Sequence, residues 1–439
     1  MNVETLKKVI ISQKEEIEEK FKKSKIIERE PEKNRLKKFL SYPNILAILG
    51  VRRCGKSIFS WQIFSSLSDK AFAYINFDDE RLADIRTEDL DKILQAFYEL
   101  YGKVEKIVLD EPQNVEKWEL FVNRLRRTKS LIITGSNSKL LSGELSTHLT
   151  GRYIDFNLFP FSFREFLDYK GFKIEKDTFY SVSEIAQIKR FLEEYIKIGG
   201  FPEVYILGRE ILSRIYADII EKDVLKRYKI KRKETFKRVA RYLISNISSE
   251  FTIRKLSRIF EIKDVHTLKN WLQALENSYL VFVLERYSPK LKQQEIAPKK
   301  IYCIDTAMAD VISFKISENV GKLMENLVAI ELLRRKSYWQ NNWEIYYYKD
   351  HQQREIDFLI KEGPEIKNLI QVSFITTIEE MEKKEIDFLK KTSSLLKCEN
   401  LSIITWDYEE ELNINKIKIK FIPLWKWLLS ATSFGVNYK

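Results

Sequence analysis

The chain is poor in cysteine, histidine, glycine and proline. Its 3 cysteines, Cys54, Cys303 and Cys398, are too few and too scattered for a disulfide framework or a Cys-rich zinc site. They point to a reducing compartment. The 3 histidines, His148, His266 and His351, lie far apart, so a His-rich metal centre is not expected. With 13 Gly and 9 Pro in 439 residues, collagen-like and linker-rich chains are excluded. Long apolar runs are missing as well. Ile45–Val51 stops at Arg52, and Trp425–Phe434 contains Lys426. A membrane-crossing helix needs roughly 20 apolar residues. Met1–Glu30 mixes Lys and Glu throughout, so no export signal is expected there. The expectation is a cytoplasmic protein with no membrane partner.

What is present is apolar and charged. Hydrophobic residues make up 44% of the chain, enough for real cores, which excludes wholesale disorder. At roughly 150 residues per domain the length allows about three domains. Lys and Arg number 76 against 64 Asp and Glu, and the net charge of +12 favours an anionic partner. Residues 1–28 read as an amphipathic helix with Leu6, Val9, Ile10, Ile17 and Phe21 on one face, ended by Pro31. From Ile45 short apolar strands appear at Ile45–Leu49, Ala71–Phe77, Lys106–Leu109, Leu131–Thr134 and Tyr153–Asn157. Helical stretches separate the first four, which implies a mostly parallel sheet flanked by helices. Residues 184–245 contain no good strand. Ser249–Ser288 reads as a helix-turn-helix followed by two strands, and residues 300–425 as α+β.

Gly50-Val51-Arg52-Arg53-Cys54-Gly55-Lys56-Ser57 fits G-x-x-x-x-G-K-[ST], between an apolar strand and a helix expected at Ile58–Leu67. Gly50 and Gly55 let the backbone curl, so the N–H groups from Gly50 to Ile58 turn toward a phosphate. The helix N-terminus adds its positive end. Lys56 reaches toward β- and γ-phosphates, and the Ser57 hydroxyl is a Mg²⁺ ligand candidate. Cys54, inside the loop, reads as a small tolerated residue rather than a redox switch. Lys106–Leu109 runs into Asp110 and Glu111. Asp110 is the candidate to hold Mg²⁺ through water, and Glu111 to polarise the attacking water. After Leu131–Thr134, Ser136 and Asn137 are candidates to sense the γ-phosphate or orient that water, as against a plain turn. Arg152 is a candidate arginine finger, in cis or in trans, as against a surface residue. Asp78 and Asp79 read as turn or cap residues.

These segments carry a resemblance. GVRRCGKS, YINFDDERL, LDEPQNVEKWELFVNRL and ITGSNSKLLSGELSTHLTGR with FPFSFREF, in that order, resemble an AAA-type ATPase family of archaea and bacteria. GGFPEVY, the stretch ending KDVLKRY, KIYCIDTAMAD, MENLVAIELL and REIDFLI extend it. The resemblance implies an α/β fold. Its core would be an additional-strand (ASCE-type) P-loop NTPase with helices on both faces of a parallel sheet. A helical lid, a winged helix and an α+β C-terminal domain similar to restriction endonucleases would follow. The corresponding expected domains are 1–28 (N-terminal helix), 29–168 (ATPase core), 169–245 (lid), 246–290 (winged helix) and 291–439 (C-terminal domain). ATP and Mg²⁺ are the implied cofactors, and hydrolysis the implied activity.

Residues 222–241 hold ten Lys or Arg against two acids. Two helices follow at Phe251–Phe260 and Val265–Glu276, with a wing expected from strands Tyr279–Val283 and Glu285–Tyr287. Arg254, Lys255, Arg258 and Lys269 are the candidate contacts to double-stranded DNA, against a solvated face or a protein-binding module. In the C-terminal domain Glu325, on a helix, and Asp357, on a strand, stand where a restriction-type nuclease keeps metal-binding carboxylates. The next strand has Gln371 and Ser373 in place of the Glu and Lys such chemistry needs. The expectation is a non-cutting domain. Two readings of the whole remain. One is an ATPase coupling nucleotide state to the C-terminal modules and DNA. The other is a slow switch or scaffold acting through protein contacts, monomeric or homo-oligomeric.

Overall fold

The computed structural model describes residues 1–23, 25–29, 33–40, 44–66, 72–138, 149, 151–314, 319–381, 383–414 and 417–430. Pro31, Leu67, Ala71, residues 139–148, Thr150 and residues 431–434, which figure in the expectations above, lie outside them. The chain forms two compact units. One holds Met1–Pro160 with Asn277–Tyr279, the other Phe161–Glu276 with Leu280–Lys439.

The first unit is built on five parallel strands: β1 (Ile45–Leu49), β2 (Ala73–Asn76), β3 (Lys106–Asp110), β4 (Ser130–Gly135) and β5 (Tyr153–Asn157). Their order is β2-β3-β4-β1-β5, so β4 is the additional strand between the loop-bearing β1 and the acid-bearing β3. All five residues of β1 are buried, which suits a parallel strand covered on both faces. Helix α1 (Val3–Lys23) buries Leu6, Val9, Ile10 and Ile17 as its periodicity predicts. Phe21 is only half-buried. Gln13, also buried, is the residue the pattern missed. Its side-chain nitrogen donates to the Asn76 carbonyl (3.0 Å) and its oxygen accepts from the Asn76 amide (2.8 Å), fastening α1 to the end of β2. Helices α2 (Lys33–Leu40), α3 (Lys56–Ser65), α4 (Leu90–Tyr101) and α5 (Trp118–Leu125) complete the unit.

The second unit opens with α6 (Phe163–Lys170), whose start is a capping box. Glu165 N donates to Ser162 Oγ (3.1 Å), and Ser162 N to Glu165 Oε2 (2.9 Å). Helices α7 (Val182–Ile198), α8 (Ile211–Asp218) and α9 (Lys233–Ser245) follow, with a π-helical stretch Ile219–Lys226 after α8 and no strand between 184 and 245. Strand β6 (Ser249–Phe251), α10 (Ile253–Ile259), α11 (Val265–Asn277), β7 (Val281–Leu284) and β8 (Lys299–Cys303) then give a helix-turn-helix beside an antiparallel sheet of order β6-β8-β7. One expectation needs correcting. The strand paired with β7 is β8, not Glu285–Tyr287. Only Arg286 of that stretch makes a bridge, to Tyr347. The sheet therefore runs past residue 290.

Helices α12 (Thr306–Ile312) and α13 (Val320–Tyr338) lead to a six-stranded mixed sheet. Its strands are β9 (Trp343–Lys349), β10 (Glu355–Glu362), β11 (Glu365–Ser373), β12 (Asn400–Thr405), β13 (Glu410–Ile414) and β14 (Ile417–Pro423), in the order β13-β14-β12-β11-β10-β9. Helix α14 (Lys383–Leu396) lies between β11 and β12, and α15 (Leu424–Leu429) closes the unit. Trp425 and Trp427 of α15 are core residues.

Two of the resembling motifs meet here. Asp305 is buried at the start of α12, where its carboxylate accepts from Met308 N (2.9 Å) and from Gly200 N (2.6 Å). Gly199 has φ +80°, and a Cβ on it would stand 2.3 Å from Asp305 Oδ1. Only glycine fits that approach. Gly199→Ala is expected to destabilise the chain by roughly 1–3 kcal/mol, read as a lower melting temperature. A variant melting with the wild type would show that the Asp305 contact is dispensable.

Candidate nucleotide site

Strand β1 delivers the chain into a loop that only glycine can make. Gly50 has φ +149°, and a Cβ there would lie 2.2 Å from the Leu158 carbonyl oxygen. Gly55 (φ +100°) ends the loop, and Arg53 is also left-handed at φ +66°. The curl wraps around its own lysine. Lys56 Nζ, 6% exposed, donates to the carbonyls of Gly50 (3.0 Å) and Val51 (3.1 Å). Helix α3 begins at Lys56 and no side chain caps it. Its first-turn N–H groups thus have no acceptor within the helix. Beneath the loop, buried Arg29 donates to the carbonyls of Cys54 (2.9 Å) and Phe159 (2.6 Å). Cys54 is fully buried, and burial pushes its thiol up, which disfavours the reactive thiolate and supports the small-residue reading. Arg52 reaches Asp78 (2.7 Å). Asp79 caps the turn Glu80–Leu82, and its bond with Arg81 helps hold its carboxyl down at about 2.

The acids stand at the ends of neighbouring strands. Asp110 is 3% exposed and takes hydrogen bonds from Tyr74 Oη (2.7 Å) and from Thr134 Oγ1. Burial and the Asp110 charge raise the pKa of the Tyr74 phenol. Glu111 has φ +52°. Its Oε2 accepts from Ser136 N (3.2 Å), Ser136 Oγ (3.1 Å) and Gln113 Nε2 (2.5 Å), and its Oε1 lies 3.9 Å from Lys56 Nζ. The structure thus gathers Lys56, Ser57, Asp110, Glu111 and Ser136. Asn137 is buried one residue further on.

The loop's curl and the lysine inside it suit a triphosphate, and the hydroxyl and carboxylate oxygens suit Mg²⁺. Among the described residues no group of three or more His, Cys, Asp or Glu could hold a metal ion.

Arg152 is where the geometry departs from expectation. Its carbonyl accepts from Ile45 N (3.0 Å), at the start of β1, and its side chain is exposed. The P-loop leaves the other end of β1. Arg152 therefore sits at the wrong end of the sheet to act as a finger on its own chain's site. Tyr74, Thr134 and Gln113 lie inside the resembling segments and Arg29 outside them, but their spacing alone assigns none of them a role.

In the second unit Arg254, Lys255, Arg258 and Lys269 are all exposed on α10 and α11. Glu325 of α13 and Asp357 of β10 do come together, but around a lysine. Lys300 of β8 is 2% exposed, and its Nζ lies 2.8 Å from Glu325, 2.5 Å from Glu355 and 3.3 Å from Asp357. Tyr302 Oη also donates to Glu325 (2.7 Å). Burial opposes the Lys300 charge, but Asp357, Glu325 and Glu355 outweigh it and raise its pKa. Glu325 is pushed up to about 8 by burial and by Asp357. Gln371 and Ser373 lie on β11 as the spacing required.

The loop, the acid-tipped β3 and the inserted β4 define a P-loop nucleotide-binding fold of the additional-strand type. Comparison with known proteins agrees. Residues 42–167 match an AAA domain (AAA_14), residues 189–318 a domain of unknown function (DUF8612), and residues 320–427 another (DUF4143). The chain is 35% identical over 428 residues to "Uncharacterized protein MJ1544" of Methanocaldococcus jannaschii, covering 93% of this chain and 92% of that one. It is 30% identical over 418 residues to an "Uncharacterized protein" of Haemophilus influenzae, covering 91% and 98%. Among solved structures, the Walker-type ATPase PABY2304 of Pyrococcus abyssi is similar at 13% identity and TM-score 0.40, covering 65% of this chain and 96% of that one. The chain belongs to the family of AAA-type P-loop ATPases that carry two further domains of unknown function. Among the described residues no helix is long and apolar enough to cross a membrane.

Proposed function

We propose that the first unit binds and hydrolyses Mg-ATP, and that nucleotide state governs what the second unit binds. One observation carries this reading: Lys56 and Ser57 open an uncapped helix, and Glu111, which follows Asp110 at the tip of β3, places its carboxylate 3.9 Å from the Lys56 ammonium. The ion, when bound, supplies charge neutralisation on the phosphates. Ser57 and Asp110 would hold it, and the loop amides with Lys56 would orient the triphosphate. Glu111 takes a proton from the attacking water, and Asn137 or Ser136 orients that water. Multiple-turnover ATP hydrolysis by the wild type, lost in Lys56→Ala, tests the reading. A wild type without turnover would refute it.

The helix-turn-helix with its antiparallel sheet supports a winged helix that contacts duplex DNA through Arg254, Lys255, Arg258 and Lys269. All four side chains are exposed to solvent. Replacing Arg254, Lys255 and Arg258 by Ala should weaken binding evenly across sequences. It should flatten the plot of log affinity against log salt by about 0.9 for each phosphate the protein no longer neutralises. An unchanged slope would exclude these residues from phosphate recognition. The alternative reading is a slow nucleotide-dependent switch or scaffold acting through protein contacts. Turnover with and without DNA separates the two, since DNA stimulation belongs only to the first. The C-terminal mixed sheet supports a restriction-endonuclease-like fold that does not cut. Gln371 and Ser373 lack the needed chemistry, and the Lys300 ammonium fills the space among the carboxylates.

A further inference from the structure

We propose that Gln113 is a positioning residue for hydrolysis, acting through Glu111; the inference rests on the ATPase reading above. Glu111 and Gln113 flank Pro112, and Pro112–Asn114 form a tight helical turn directly after β3. Asn114 N donates to the Glu111 carbonyl (3.2 Å), and Asn114 Nδ2 donates to the Phe77 carbonyl (3.1 Å), so both ends of the turn are pinned. That bracket folds the Gln113 side chain back onto the carboxylate two residues before it.

The direction of the amide is dictated by chemistry. A carboxylate accepts and does not donate, so the Gln113 nitrogen must face Glu111 and its oxygen must face away. The consequence is visible: Gln113 Oε1 is buried and has no hydrogen-bond partner among the described residues. A buried acceptor is left unsatisfied so that Glu111 can be held. Gln113 Nε2, Ser136 N and Ser136 Oγ together occupy Glu111 Oε2. They fix the rotation of the carboxylate, with Oε1 toward Lys56 at 3.9 Å. In the step itself the water oxygen bonds to the γ-phosphorus and the bond from that phosphorus to the bridging oxygen breaks. ADP leaves, and the water's proton passes to Glu111. Gln113 takes no proton. It keeps the carboxylate aimed.

The test compares wild type with Gln113→Met and Gln113→Glu, using steady-state hydrolysis and ATP binding by fluorescence. Gln113→Met should lower kcat by about 10–100-fold while KM and ATP affinity stay within about 2-fold. Gln113→Glu should be slower still at pH 8, where two carboxylates face each other. It should partly recover toward pH 5.5 relative to wild type, because the new carboxyl becomes a donor when protonated. If Gln113→Met does not fold, Gln113→Asn, one methylene shorter, is read by the same criteria. A wild type that hydrolyses ATP beside a Gln113→Met variant with unchanged kcat overturns the inference and leaves the ATPase reading intact. Equal losses of affinity and turnover assign Gln113 a merely structural role and also overturn it. A wild type with no turnover removes both.

Discussion

Glu111→Gln should retain ATP binding and lose turnover by about 10²–10⁴-fold, the usual worth of a positioned general base. The substitution is nearly isosteric. The amide oxygen can still accept from Ser136 N and Oγ, so the left-handed turn and the end of β3 keep their support. What disappears is a group able to take the water's proton. The affinity for ATP depends on the loop amides and Lys56, which stay in place; the ammonium loses only a carboxylate 3.9 Å away. The measurement is a pair: fluorescence titration for binding and phosphate release for turnover. Loss of both together would mean that Glu111 holds the loop rather than serving the reaction.

Lys300→Met should cost about 3–5 kcal/mol of stability, because it strands Glu325, Glu355 and Asp357 in a buried pocket without their countercharge. Methionine matches lysine in length, so packing loss is small beside the electrostatic term. Adding Glu325→Gln to that variant should restore part of the loss, a coupling that a packing defect would not show. The pocket also predicts a pH signature. Glu325 is pushed from 4.5 up to about 8, so between those values the folded chain keeps a proton that the unfolded chain releases. Stability from this group therefore falls as pH rises through that window. Glu325→Gln alone should gain melting temperature relative to wild type on going from pH 5 to pH 8. A constant offset across that range would contradict the assignment.

Some of this architecture was legible in the sequence and some was not, for physical reasons. The P-loop and the acids after β3 are local: strand, turn and helix start lie within a dozen residues, and each residue type is needed by its own backbone geometry. For Arg152 the topology bears on the cis alternative alone. In an all-parallel sheet every strand starts at the same end, so a residue just before β5 lies beside the start of β1, away from the loop that leaves its end. The wing strand was misplaced because the alternation in Glu285–Tyr287 resembles β structure, whereas the true partner of β7 lies beyond the short helix Leu291–Ile296. Lys300 was invisible because it stands 25 residues from Glu325 and 57 from Asp357, in a Lys-Lys pair that reads as solvated. Gln113 sat inside a quoted motif, but its role depends on a side chain folding back over a proline turn, which no periodicity records.

The most direct measurement is a calorimetric titration of ATP with Mg²⁺ into the wild type and into Lys56→Ala. The predicted result is saturable binding at one site per chain, abolished in the variant. Equal heats from the two proteins, or none from the wild type, would contradict the assignment of the loop after β1 as a triphosphate site.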